Sequence, residues 1–442
     1  MKAAESSPSA PSPAVDAAIT HALFWLVAGN AMGTMIAVLL LLPGLNRLLG
    51  EWTYGRWMMV HMNTALYGWC SLPMLGFLFR TYGVERSALR LWGRPVVWLW
   101  SAALAVGCYS WLSGTSSGKL FLDWSGYARI LFPLTMGALW LLLVFAFLGQ
   151  RRNAEQARWR AAAAKLIGLA VLAAVPFALF YASSPDLYPA FNPDSGGPTG
   201  ASQLESSLGM VLIVLVLPFG IARRLPGHAR TLSLAWVLLA VEAAFCALLG
   251  RADASHRMPA QYIGLGSILL WLPLVPLYYR GFAWNCETRQ WKQVFLCWWG
   301  LLVVSGWIFF LPGVLDRFKF TDGLVGHSLT AVAGFLTALL VFVMTQLIGD
   351  EHAWIFNSKW SFYAWNLGVL AYVMVMTAAG WIEGGNPGFT MAPGPLHHVL
   401  YFVRLLTGLA MLAASVEWWI AATQPFGRMR RYQTSHAGAI AA

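Results

Sequence analysis

Twelve apolar runs, each long enough to cross about 30 Å of hydrocarbon, leave this chain few folds other than a polytopic helical bundle. They fall near residues 20–43, 57–79, 95–114, 129–149, 163–183, 204–222, 231–250, 259–279, 293–314, 323–347, 361–382 and 398–423. A backbone in lipid must satisfy its polar groups internally, so helices are the expected element and the class is an all-α polytopic membrane protein. Only 11% of the residues are charged, against about 25% in a soluble domain. Little hydrophilic sequence separates the runs, so one membrane domain is expected over 19–424. A Ser-, Pro- and Ala-rich disordered cytoplasmic tail, 1–18, would precede it, and a cytoplasmic C-terminal tail, 425–442, would follow. The first residues lack the basic stretch that leads directly into the apolar core of a signal peptide.

Loop charge gives the direction of threading. Twenty Lys and Arg residues lie on the side that holds the N-terminus and 8 on the other, so both termini are expected in the cytoplasm. The net charge of +11 is carried mostly by short loops, which implies contact with membrane lipid and no nucleic-acid partner. The five cysteines form no Cys-x-x-Cys-His and no metal-ligand spacing, so no covalently attached heme is expected and they read as packing residues.

With this threading His61, His256, His327, His397 and His398 lie at or near the outer face, and His21, His228, His352 and His436 at the inner one. His61 and His327 each lie a few residues inside a run, roughly 7 Å deep at about 1.5 Å per residue. A histidine in a span is costly unless paired, solvated or ligated. Two imidazoles at matching depth suit the axial ligation of a buried b-type heme. Gly68 after the first, and Ala331, Ala333 and Gly334 after the second, would let a flat macrocycle approach. The alternative is helix packing through small residues with histidine as hydrogen-bonding glue. His397 and His398 open the last run, with Arg404 about two turns deeper. These residues are candidates for heme propionates near the outer surface, or for interfacial snorkelling. Glu242, mid-run, is a candidate for proton transfer, or a protonated acid bonded to a neighbouring helix. The turn-rich segment 192–200 reads as an ordered outer cap.

Three stretches carry a family resemblance. The second run opens Gly55-Arg56-Trp57-Met58-Met59-Val60-His61-Met62-Asn63, followed by Gly68-Trp69; the tenth reads Gly326-His327-Ser328-Leu329-Thr330-Ala331-Val332-Ala333-Gly334-Phe335; the twelfth reads Tyr401-Phe402-Val403-Arg404-Leu405-Leu406-Thr407-Gly408. The chain resembles the catalytic subunit I of heme-copper oxidases, most nearly the C-type (cbb-type) enzymes and their nitric oxide reductase relatives. That resemblance implies a twelve-helix fold with hemes near the outer face, a bacterial inner membrane, other respiratory-complex subunits, and a cytochrome c-like or quinone electron partner. It makes His61 a low-spin heme ligand. Two departures stand out. The family pattern in the tenth helix is His-x-His, and aligned without a gap it puts His327 in the high-spin position and Leu329 where the low-spin ligand belongs. The family's metal-site histidines on the sixth and seventh helices have no counterpart, since 204–222 and 231–250 contain no histidine. About three converging nitrogens are needed for copper or non-heme iron, so copper is not expected. The chain then reads as a divergent subunit I-like protein. It would bind one b-type heme, or two, through His61 and His327, and serve electron transfer or assembly without reducing oxygen itself. Alternatives are an active oxidase or nitric oxide reductase subunit with unusual ligands, and a non-redox scaffold or transporter.

Overall fold

A computed structural model describes residues 12–151 and 159–424. Eleven of its helices are long and apolar enough to cross a membrane. A further crossing, 54–82, is helical throughout but changes its winding midway: α-helix Tyr54–Asn63, a wider π-helical stretch Thr64–Cys70, and α-helix Leu72–Tyr82. In chain order the spans are α1 (Pro13–Leu41), α2 (54–82), α3 (Gly93–Leu112), α4 (Ala128–Arg151), α5 (Trp159–Ala182), α6 (Gly200–Ile221), α7 (Ala229–Leu249), α8 (Pro259–Tyr279), α9 (Arg289–Phe310), α10 (Asp322–Ile348), α11 (Lys359–Glu383) and α12 (Pro395–Thr423). All twelve expected runs are therefore helical crossings. The only ladder among the described residues joins β1 (Arg223–Arg224) to β2 (Phe282–Ala283), antiparallel, just past the C-terminal ends of α6 and α8.

The boundaries follow local chemistry. Positions 13–18, expected in a disordered tail, are helical. Ser12 caps α1 by accepting a hydrogen bond from the Ala14 N–H, and Pro13 takes the first turn, where its missing N–H costs nothing. The remainder of the expected N-terminal tail and the segment 425–442 lie outside the described residues. α2 ends at Gly83, whose φ of +64° lets its N–H turn back onto the Arg80 and Phe79 carbonyls. α9 runs from Arg289 to Phe310, about four residues earlier than the apolar run suggested. Prolines sit inside α4, α5, α6 and α8, as spans tolerate when neighbours absorb the freed carbonyls.

Three spans meet at the centre. α10 is the most enclosed, with 83% of its central stretch buried against 6% for α5. It packs on α2 and α6; α2 and α10 are flanked by their sequence neighbours, α1 and α3 and α9 and α11, and α6 by the two spans that follow it, α7 and α8. Polar clips pin the C-terminal ends of the three together. Arg80 donates to the Leu347 carbonyl at 3.1 Å and Gln346 to the Ile221 carbonyl at 3.0 Å. α12 closes the bundle against α1 and α11.

Candidate functional site

His61 projects from α2 onto α1. Its Nδ1 lies 2.8 Å from the Gly29 carbonyl, and a carbonyl can only accept, so Nδ1 carries the proton and Nε2 is left as a lone-pair donor. The ring lies over Gly33: a Cβ there would stand 2.7 Å from His61 Cε1. A backbone carbonyl on one ring nitrogen with the other nitrogen free is how metal-ligating histidines are usually held.

His327 is seated in the same way on a different helix. Its ring lies over Gly306 of α9, where a Cβ would stand 3.3 Å from Cε1, and beside Phe309 at 5.5 Å between centroids. Ser305 Oγ is 3.4 Å from His327 Nδ1 and 3.3 Å from the Leu302 carbonyl, so a hydroxyl stands between this ring and the main chain. The two rings thus rest on different helices, α1 and α9.

The likeness is a repeat. His61-x-x-Thr64-Ala65-x-x-Gly68-x-x-Ser71 matches His327-x-x-Thr330-Ala331-x-x-Gly334-x-x-Thr337 position for position. Each histidine comes three residues before a seven-residue π-helical stretch, Thr64–Cys70 or Thr330–Leu336. The wider winding frees carbonyls, and both copies fill them alike. An indole from the following span donates to the fourth residue: Trp100 to the Tyr67 carbonyl at 2.7 Å, Trp365 to the Ala333 carbonyl at 2.9 Å. A hydroxyl just beyond donates to the third: Ser71 to Leu66 and Thr337 to Val332, both at 2.9 Å. The shared glycine admits a tryptophan from the preceding span, Trp25 at Gly68 and Trp298 at Gly334, each 2.5 Å from where a Cβ would lie. In those preceding spans the tryptophan and the glycine beneath the histidine are again equally spaced, Trp25 to Gly33 and Trp298 to Gly306. The copies touch where Trp69 Nε1 donates to Thr337 Oγ1 at 3.0 Å. The third central span, α6, has neither a histidine nor a π-helical stretch.

Arg404 is 5% exposed and engages Asp322, at the first turn of α10, with Nη1 3.5 Å from Oδ1. Tyr401 donates to the other Asp322 oxygen at 2.6 Å, and the guanidinium lies over the Tyr401 and Tyr372 rings. Arg404 Nε keeps no partner and is buried. His397 is buried and stacks on Tyr401 at 4.0 Å, with Nδ1 unpartnered. His398 is exposed, and its Nδ1 donates to the Gly394 carbonyl at 2.9 Å. The structure therefore gathers Arg404 and His397 at one end of α12 and turns His398 outward. Asp322 and Tyr401, neither of them singled out by the sequence, complete this cluster.

The 192–200 segment is ordered. Asn192 and His256 are fully buried, with Asn192 Nδ2 3.0 Å from His256 Nδ1, and His256 Nε2 is 3.2 Å from Asp316 Oδ1. Burial opposes ionisation of Asp316, but the Gly313 N–H and the neighbouring His256 and Arg257 hold its carboxyl below the usual carboxylate range. Across the same face Asp123, 2% exposed, accepts from Asn63 at 2.8 Å. Burial pushes its carboxyl upward, against the hydrogen bonds from Asn63 and Ser116.

No protein-family model matches the chain. In sequence it is 22% identical over 450 residues to a cytochrome c oxidase subunit 1 homolog of Azorhizobium caulinodans, covering 89% of this chain and 78% of that protein. It is 27% identical over 143 residues to cytochrome c oxidase subunit 1 of Rhodobacter capsulatus, covering 30% of this chain and 26% of that one. A solved structure described as a heme-copper terminal oxidase dimer aligns with a TM-score of 0.46 and 12% identity, over 94% of this chain and 85% of that one. The chain is an integral membrane protein by its apolar helices, and in sequence it is similar, at low identity, to cytochrome c oxidase subunit 1 proteins.

Proposed function

We propose that this chain is a heme-binding electron-transfer or assembly subunit of a respiratory membrane complex, with His61 and His327 as axial ligands of b-type heme. The seat of His61 carries the reading: Nδ1 bound to the Gly29 carbonyl at 2.8 Å, Nε2 unpartnered, and a glycine beneath the ring. The residues present fit such a group, since a histidine with one nitrogen anchored and the other free is poised to ligate. A b-type heme bound there would carry one electron between its ferric and ferrous states. The chain's own part is to hold the ring. The Gly29 bond fixes the tautomer, and Gly33 leaves room for the imidazole plane. At the second position Ser305 takes over the anchoring role from the main chain.

The repeat and the separate supporting helices favour one histidine per heme over a single macrocycle between the two rings. Arg404 and His397, each with a buried unpartnered nitrogen, are the donors suited to an anionic group such as a propionate. His398 is less suited, because it faces outward and is bonded to Gly394. Oxygen reduction is not assigned to this chain. α6 and α7 carry no histidine, and the ring of His256 is engaged by Asn192 and Asp316. The relatives are named as subunits, which supports partner chains in the membrane and an electron donor such as a cytochrome c-like protein or a quinone. Loop charge supports cytoplasmic termini, and the bacterial relatives support an inner membrane.

Heme per chain in purified His61→Ala and His327→Ala, measured as the pyridine hemochrome with folding followed by melting temperature, tests the reading. Each variant is expected to lose about half of the wild-type heme, with the remainder unshifted. No heme b in the wild type overturns the proposal. Loss of all heme from either folded variant overturns the one-histidine assignment, and oxygen uptake with stoichiometric copper or non-heme iron overturns the exclusion of oxygen chemistry.

A further inference from the structure

Away from the histidines, Glu242 of α7 is 3% exposed and sits midway along its span. Its Oε2 accepts from Trp271 Nε1 at 2.5 Å, while Oε1 is buried and has no partner. Ser267 acts on the same carboxyl, and its Oγ is buried without a hydrogen bond of ordinary geometry. Both come from α8, whose winding tightens over Ser267–Leu270 into a 3-10 turn between two α-helical pieces. That turn brings Ser267 and Trp271 to the same carboxyl.

Among the described residues no cation acts on this group. The side chains acting on it are Trp271 and Ser267. On α6, Glu205 is exposed and paired with Arg251. On α8, Tyr278 and Tyr279 donate to the Leu215 and Val214 carbonyls. On α7 itself, Cys246 reaches the Ala201 carbonyl at 3.5 Å. An unpaired carboxylate in a span costs several kcal/mol. A proton on Oε1 would give this buried oxygen a hydrogen to donate, and Ser267 is the hydroxyl that acts on the same carboxyl.

We propose that Glu242 is an intramembrane proton-binding site, and that the bound proton sits on Oε1 and is donated to Ser267 Oγ. Binding converts the carboxylate and one proton into the neutral acid, which satisfies both orphaned oxygens and keeps the Trp271 bond on Oε2. A hydroxyl can donate or accept, so Ser267 accepts when the acid is loaded and can rotate to donate when the proton leaves. The site is therefore built for exchange as well as storage. It is independent of any heme.

Infrared spectra of the purified protein at neutral pH, in water and deuterium oxide, test it. The carbonyl stretch of a protonated carboxylic acid is expected in the wild type, with one component missing from Glu242→Gln. In Trp271→Phe that component is expected to remain but move to higher frequency, because Oε2 has lost its donor. Asp123, also buried, contributes to the same region, so the differences between variants carry the result. An unchanged acid-carbonyl region in folded Glu242→Gln overturns the proposal. Should that variant fail to fold, an unmoved band in Trp271→Phe overturns it.

Discussion

Replacing Gly33 by alanine tests whether the His61 seat is as tight as its geometry implies. The added Cβ would stand 2.7 Å from Cε1, 3.1 Å from Nδ1 and 3.4 Å from Nε2 of His61. Carbon atoms in contact settle at about 3.5–4.0 Å, so the ring must retreat by roughly 0.8–1.3 Å. A retreat of that size stretches the 2.8 Å bond to Gly29 beyond hydrogen-bonding reach. Overpacking costs about 1–3 kcal/mol, and loss of a buried hydrogen bond costs about 1 kcal/mol more. Gly306→Ala is the matched control in the second copy of the repeat. There the Cβ would stand 3.3 Å from His327 Cε1, so a shift of only about 0.2–0.7 Å restores contact. Heme per chain by the pyridine hemochrome, with melting temperature on the same samples, reads both. Gly33→Ala is expected to lose the proposed His61 heme by tenfold or more in affinity, since about 1.4 kcal/mol is one decade, and to melt earlier. Gly306→Ala is expected to keep most of its heme. A Gly33→Ala protein with wild-type heme content and melting refutes the argument, as does Gly306→Ala being the more damaged of the two.

Asp322→Asn removes the carboxylate that neutralises buried Arg404, so a loss of about 3–5 kcal/mol is expected, read as a large drop in melting temperature. Tyr401→Phe removes only one hydrogen bond to the same carboxylate and should cost about 1 kcal/mol. Trp100→Phe and Trp365→Phe each leave a π-stretch carbonyl without its donor. Both should cost about 1–3 kcal/mol, and unequal losses would speak against the equivalence of the two copies. For Asp316 the folded-state pKa is depressed, so its stabilising effect is present above the ordinary aspartate value of about 3.9 and is lost as the pH falls through the folded value. Limited proteolysis of the 192–200 and 250–258 loops should accelerate in that acid range in the wild type and already at neutral pH in Asp316→Asn. Cleavage that is independent of pH in both would remove Asp316 from the clasp.

Helix positions were legible because hydropathy fixes where a chain can cross lipid, and each of the twelve runs became a crossing. The winding within them was not. A π-helical stretch differs from its α-helical flanks by one residue per turn, and its cause lies in other spans: the indoles of Trp100 and Trp365 that take up the freed carbonyls of Tyr67 and Ala333. The histidines were legible as costly residues at matching depth. Their partners were not, because Gly29 offers only a carbonyl and Gly33 only empty space, neither of which has a side-chain signature. Asp322 was missed for a similar reason: at the start of a run it looks like an interfacial cap, and only the return of α12 shows that Arg404 needs it. The repeat itself was visible in the letters.

That repeat bears on Leu329. Against the family's His-x-His pattern, Leu329 looks like a lost ligand. Within this chain its counterpart is Asn63, whose amide donates to the Met59 carbonyl and to Asp123, both at 2.8 Å. The second position after the histidine is thus a structural one in the first copy, clasping the loop that carries Asp123. In the second copy it is a half-buried leucine packed against the core, with no loop carboxylate to clasp. The proposed ligand position in both copies is the histidine itself, held over a glycine of the preceding span. A Leu329→His substitution sharpens the point. If Leu329 is only a vacated ligand position, restoring histidine should convert the proposed single-histidine heme at His61 into a low-spin, bis-histidine one, visible as narrowed, intensified visible bands. The separate seating of the two copies instead predicts an unchanged heme spectrum and a loss of stability, because a buried imidazole gains no partner there and a polar group buried without one costs about 1–3 kcal/mol.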